Sequence, residues 1–192
     1  MSFKFINMNT DKLMQVVAFI LKRNSGSMDY YNLIKECYIA DRRSIDAIGN
    51  AITGDSYVSM KRGPVLRGLY SFIKNKNENE IAQKKWNAFF SVDDHRISIL
   101  DESISDDYLS DFEENILGSV SDQFYGYSYE DMKDYAHSEG RFPEWTPVAK
   151  GEEIPIPLKS IMKVLGISDT EIELLLDEQK VFEEEAVLFH TN

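Results

Sequence analysis

Three segments of this chain open on the same local device: Ser110-Asp111-Phe112-Glu113, Ser128-Tyr129-Glu130-Asp131 and Ser168-Asp169-Thr170-Glu171. In each, the serine hydroxyl is placed to accept the backbone N–H three residues on. The acidic side chain at that third position can accept the serine's own N–H. Two donors that a helix start leaves unpaired are satisfied together, so helices are predicted over 110–124, 128–137 and 169–185. Apolar residues at helical spacing add more. Thr10 can cap a helix over 11–23, with Leu13, Val16, Val17, Ile20 and Leu21 near one face. A second helix is predicted over 28–42, with Leu33, Ile34, Cys37 and Tyr38 in step, followed by a short turn or helix at 44–49. Gly63-Pro64 reads as the opening of a further helix, since proline at a first helical position loses no hydrogen bond. Leu158–Leu165 is a last short helix stopped by Gly166.

The strand signals are weaker. Residues 52–60 are β-leaning, and Ala88–Val92 and Arg96–Leu100 flank Asp93-Asp94-His95 as a hairpin. The passage from Pro143 to Pro157 reads as an extended connection. The expected fold class is therefore mainly α, a compact helical domain with a small β-hairpin or sheet and a C-terminal helical extension.

Composition narrows the function classes. The chain has 192 residues, 43% of them hydrophobic, enough for a core and too many for a disordered chain. Its net charge of −12 argues against nucleic acid and against anionic membrane surfaces as partners. The charge is uneven: residues 1–90 hold 14 Lys/Arg and 8 Asp/Glu, whereas 101–134 hold 11 acids against Lys133 alone. Such a stretch is a solvated face, a docking surface for a basic partner, or one side of an attraction between the two halves of the fold. Cys37 is the single cysteine, so no internal disulfide forms. The longest apolar run, Val16–Leu21, is far short of the about 18 residues of a membrane span. No signal-peptide pattern is visible, and a cytoplasmic location is expected.

The residues that could carry chemistry do not assemble into a motif. His95, His137, His190 and Cys37 lack metal-ligand spacing. No nucleophile elbow or phosphate-binding loop occurs. The best anion-binding candidate is Lys61-Arg62-Gly63-Pro64, at a predicted helix start. The expectation is no catalytic residue, no metal and no cofactor: not an enzyme.

Several short motifs, in order, carry a resemblance. They are Lys12–Leu21, the helix Asn32-Leu33-Ile34-Lys35-Glu36-Cys37-Tyr38-Ile39-Ala40-Asp41-Arg42, then Gly54-Asp55-Ser56-Tyr57-Val58-Ser59-Met60, then Arg62-Gly63-Pro64-Val65 with Leu69-Tyr70. Downstream come Leu109–Glu113, Tyr125–Ser128, Ala136-His137 and Glu144-Trp145. This order and spacing resembles the SocA-like antitoxin family, the Panacea domain, of type II toxin–antitoxin systems. The resemblance covers about 10–150. Ser59 stands where that family commonly has alanine, and Ile34 where leucine is typical. It implies a Panacea domain at 1–150 and a C-terminal extension at 151–192, packed on or docking from the same domain.

The same resemblance implies an antitoxin that neutralises a cognate protein toxin, encoded by an adjacent gene, by direct binding, with phage defence as one setting. Members pair with unrelated toxins, so the family names no particular one. Two other readings stay open. One is an adaptor that delivers the toxin to a protease; the other is an enzyme reversing the toxin's modification with His137 or His95. Among the motif residues, Gly54 permits a turn, and Gly63-Pro64 with Val65 set the next helix. Tyr38, Tyr57 and Tyr70 pack in the core, and Lys35, Asp41 and Arg42 are expected to form an ion network. Trp145, beside the His137 element, anchors the extended segment. All are mainly structural in this reading, with partner contact as the alternative. The apolar stripe Ile172, Leu175, Leu176 and Phe182 of the last helix is a candidate toxin-docking face, with core packing as its other role.

Overall fold

The computed structural model describes residues 8–189, and their side chains as far as residue 181. In chain order the elements are α1 (Thr10–Arg23), β1 (Ser27–Asp29), α2 (Tyr30–Ile48), β2 (Tyr57–Met60), β3 (Gly63–Leu66), α3 (Arg67–Ile73) and α4 (Glu80–Phe89). There follow β4 (Phe90–Asp93), β5 (Arg96–Ile99), α5 (Asp111–Phe124), α6 (Tyr129–His137), β6 (Ile154–Ile156), α7 (Leu158–Val164) and α8 (Asp169–Phe189). The fold is mainly helical, with two small antiparallel sheets in the orders β1-β5-β4 and β3-β2-β6.

The core is organised round α2. Residues Tyr31 to Asp41 are buried without a break, so the helix is enclosed on all sides rather than along one stripe. α1, α5, α6 and α7 cover it on several sides, and β3 lies against it. A second cluster closes the far side of the core: Trp86 of α4 stacks on Phe72 at 5.1 Å and meets Phe90 at 4.5 Å. The helix starts at Ser110 and Ser128 are complete capping boxes, with Glu113 and Asp131 returning the second bond. The charge asymmetry is partly resolved within the fold: Lys12–Glu113 (2.6 Å) and Arg23–Asp122 (2.5 Å) tie α1 to α5.

The structure departs from the sequence reading in five places. Asn9, not Thr10, caps α1, its side chain accepting the N–H groups of Asp11 and Lys12. The stretches 28–42 and 44–49 are one helix, because no breaker lies between them; Gly49 ends it with a left-handed φ of 73°. Gly63-Pro64 begins a strand, not a helix. β3 is the edge of its sheet, where a missing N–H is tolerated, and Val65 therefore belongs to that strand rather than to a helix face. Lys61-Arg62 is then the turn of a hairpin, since Met60 pairs with Gly63, and the anion pocket at a helix start is not formed. Ala88 and Phe89 end the unpredicted α4, whose cap is Asn79. Finally, the proline-rich connection contains β6, which pairs with β2. Residues 1–7 and His190 lie outside the described residues.

Candidate functional site

The residues of the helix motif sit along α2, but on different sides of it. At about 100° per residue, Lys35 and Asp41 are about 120° apart around the axis. They cannot share one network, and the expected ion network of Lys35, Asp41 and Arg42 does not form. Each has its own partner instead. Lys35, fully buried, donates from Nζ to the Pro64 carbonyl at 2.5 Å and lies over the Tyr31 ring at 5.0 Å. Asp41 accepts from the Thr53 hydroxyl (2.5 Å), the Thr53 N–H (2.9 Å) and the Tyr57 hydroxyl (2.9 Å). Arg42 pairs through Nε with Glu144 Oε1 at 2.7 Å, and the Tyr38 hydroxyl donates to the same oxygen at 2.6 Å.

Burial governs the ionisation of these groups. It pushes the Lys35 ammonium down from 10.5 to about 7. It raises Asp41 to about 6 even against the bonds from Thr53 and Tyr57, and it raises Asp55 to about 6. Glu36, whose carboxylate accepts the Ser121 hydroxyl at 3.2 Å, rises to about 8. Burial also raises the Tyr38 and Tyr57 hydroxyls, and the Asp41 charge adds to it at Tyr57. His137, exposed at the end of α6, is lowered by partial burial and then by the nearby Lys35 charge.

Three tight turns bring the remaining motif residues to this core. Gly54 turns the chain with φ 62°, so that the Asp55 carboxylate accepts the N–H groups of Gly68 and Leu69 at 2.8 Å each. That carboxylate therefore closes the start of α3 from a distance. Gly63 has φ 108°, and a Cβ there would lie 2.8 Å from Lys35 Nζ; only glycine serves that position. After α6, Trp145 donates its indole N–H to the Met60 carbonyl at 2.8 Å and meets His137 edge-on at 5.2 Å. The Thr146 N–H reaches Ser59 Oγ at 3.0 Å. Tyr38 and Tyr57 meet at 5.5 Å, whereas Tyr70 stands apart, half-buried, with Lys74 over its ring.

Sequence reasoning assigned no role to Thr53, Asp55, Glu36 and Glu144, all drawn into this buried polar set. Glu36, Asp55 and Glu144 stand within the sequence motifs themselves, and Thr53 directly before one. On the last helix, Ile172 is fully buried, and Leu175 and Leu176 are half-buried against the core. Leu175 lies against Gly49, close enough that a Cβ there would sit 2.6 Å from it. The side chain of Phe182 lies outside the described residues. Among the described residues no group of three or more His, Cys, Asp or Glu is placed to hold a metal ion, and no helix is long and apolar enough to cross a membrane.

Together these features define a helical domain built round one buried helix, with Lys35, Glu36 and Asp41 hydrogen-bonded inside the fold and the helix tied to a small sheet and a tryptophan anchor. The model of the SocA-like antitoxin family, the Panacea domain, matches residues 33–146, and the chain belongs to that family. The match runs from α2 to the segment after Trp145, and so contains every motif residue from Lys35 onward. No curated protein and no solved structure matches the chain.

Proposed function

We propose that this protein is an antitoxin that neutralises a cognate protein toxin by binding it directly. The observation that carries the reading is the Panacea match over residues 33–146, a family whose description is that of an antitoxin. The buried set around α2 suits a scaffold role: Lys35 and Asp41 on the helix, and Glu144 from the segment after α6, have their side chains turned inward and spend them on this chain. Toxin contact then falls to other surfaces. For that contact we favour the outer face of α8. Leu174 and Val181, seven residues apart and so on one side of the helix, are 63% and 54% exposed, while Ile172 is turned into the core. Exposed leucine and valine in register with one another suit a partner's apolar surface.

The experiment is co-expression with the adjacent open reading frame, followed by pull-down and titrated growth rescue. Direct neutralisation predicts a complex of fixed stoichiometry, with rescue at comparable amounts. Loss of toxin in cells without a stable complex would point to the protease-adaptor reading. Rescue at amounts far below the toxin would point to an enzyme. The double variant Leu174→Glu/Val181→Glu is expected to lose both complex and rescue while keeping the parent's thermal transition. Retained rescue would move the contact surface away from α8.

A further inference from the structure

A groove of about 830 Å³ opens between the two hairpins, outside the buried polar set. This is the size of a small-molecule site. Its walls come from separate parts of the chain: the start of α2, the β2–β3 turn, α3, the β4–β5 turn, the start of α6 and the loop before β6.

Two groups of side chains line it. In one, Tyr30 meets His95 edge-on at 6.0 Å and Tyr70 lines the same wall; Lys74, which does not line the groove, donates to the Tyr30 hydroxyl at 2.6 Å. In the other, Tyr31 and Tyr129 meet at 5.0 Å, Arg62 lies 5.5 Å over Tyr129, and the Tyr31 hydroxyl donates to the Arg62 carbonyl. The antiparallel pairing of β6 with β2 brings the preceding loop, with Lys150, alongside the Lys61-Arg62 turn. Among the described residues, none of the lining cations Lys61, Arg62 and Lys150 forms an ion pair.

Two carboxylates also face the groove, and both are engaged locally. Asp29 accepts the Tyr31 N–H at 2.7 Å, and Glu152 accepts the Ala149 N–H at 3.2 Å. Three lining cations, Lys61, Arg62 and Lys150, stand against these two carboxylates, on a chain whose net charge is −12. Among the described residues these three cations have no ion-pair partner, on so acidic a protein. They call for an anion from outside, and the aromatic walls call for a flat, ring-bearing body attached to that anion. A guanidinium and ammonium groups suit phosphate oxygens; tyrosine faces suit stacking on a base, whatever its identity.

We propose that this groove is a binding site for a nucleoside phosphate, with Lys61, Arg62 and Lys150 toward the phosphate and the tyrosine walls toward the base. The site is separate from the toxin-contact face on α8, and its test does not require a toxin.

The full-length chain is titrated by calorimetry and by amide chemical shifts with AMP, GMP and UMP, and in parallel with inorganic phosphate and with the free nucleosides. Saturable binding of the nucleotides is expected, with phosphate alone or nucleoside alone at least about tenfold weaker, since each supplies half of the contacts. Shifts should fall on the groove residues. Lys61→Ala/Arg62→Ala should weaken nucleotide binding about tenfold or more, and Tyr70→Ala should do likewise through lost stacking. Lys61 and Arg62 are exposed turn residues, so that variant keeps the proposal testable if Tyr70→Ala fails to fold; an unchanged circular dichroism spectrum checks this. Four results would overturn it: no saturable nucleotide binding at millimolar concentration, equal binding of inorganic phosphate, affinity unchanged in Lys61→Ala/Arg62→Ala, or shifts in the groove produced by hexaglutamate and not by nucleotides. The last would assign the groove to an acidic protein segment.

Discussion

Replacing Lys35 with methionine tests the most unusual feature of the core. Lys35 is buried completely, and no carboxylate pairs with it among the described residues; its one hydrogen bond goes to the Pro64 carbonyl at 2.5 Å. Its pKa of about 7, against 10.5 for a free lysine, corresponds to a penalty of about 5 kcal/mol on the charged form. In the unfolded chain the amine stays protonated up to about pH 10, whereas in the folded chain it loses its proton through pH 7. Between those values the unfolded state binds more protons. The Lys35 term therefore favours folding increasingly as pH rises, by about 1.4 kcal/mol per pH unit. Below pH 7 both states are protonated and the term is flat at its least favourable value. Methionine removes the titration, fills a similar volume, and gives up one hydrogen bond, at about 1–3 kcal/mol for the carbonyl left unpaired. The Met variant should thus be the more stable protein at pH 6, and its advantage should shrink steadily from pH 7 to 9. Urea unfolding of parent and variant at pH 6, 7, 8 and 9 gives the difference directly, and the contributions of Glu36, Asp41 and Asp55 are common to both. A difference that does not change over that range would refute the reasoning, because it would mean that Lys35 is an ordinary charged lysine in the folded protein.

Glu36 should show the opposite sign. Its folded pKa of about 8 lies above the unfolded value, so its contribution is complete at low pH and is lost as pH rises from about 4.5 toward 8; urea unfolding of Glu36→Gln should lack that loss. Glu144→Ala should destabilise by about 3–5 kcal/mol in chemical denaturation, because it leaves the Arg42 guanidinium and the Tyr38 hydroxyl without their shared acceptor. Trp86→Ala should lose about 3–5 kcal/mol, read as a lowered thermal midpoint, since the indole is 1% exposed, stacked on Phe72 and packed against Phe90.

The helix starts at Ser110 and Ser128 were legible because capping is a local matter: four residues hold both donors and both acceptors. The same locality explains the misplacements. Pro64 suits a first helical turn and an edge strand equally well, and only the pairing with Ser59 in β2 decides between them. Ala88-Phe89 reads as strand by its residues, yet Asn79 nine residues earlier caps a helix that runs through it. Of the site, the family motifs marked Lys35, Tyr38, Asp41, Arg42, Tyr57 and Trp145, but not what each holds. Glu144 pairs with a helix about a hundred residues earlier, and no spacing within the chain announces it.

By itself the sequence determined the mainly helical class, the capped ends of α5 and α6, and the ordered motifs of the Panacea domain. These depend on hydrogen bonds and apolar periods that repeat within a few residues. Only the tertiary structure decided that α2 is enclosed on all sides and that Lys35, Glu36 and Asp41 lose their ordinary ionisation. It alone joined β6 to β2, and so placed Lys150 beside Lys61 and Arg62. Burial and cross-chain pairing arise when distant segments exclude water together, and no local pattern encodes which segments will meet.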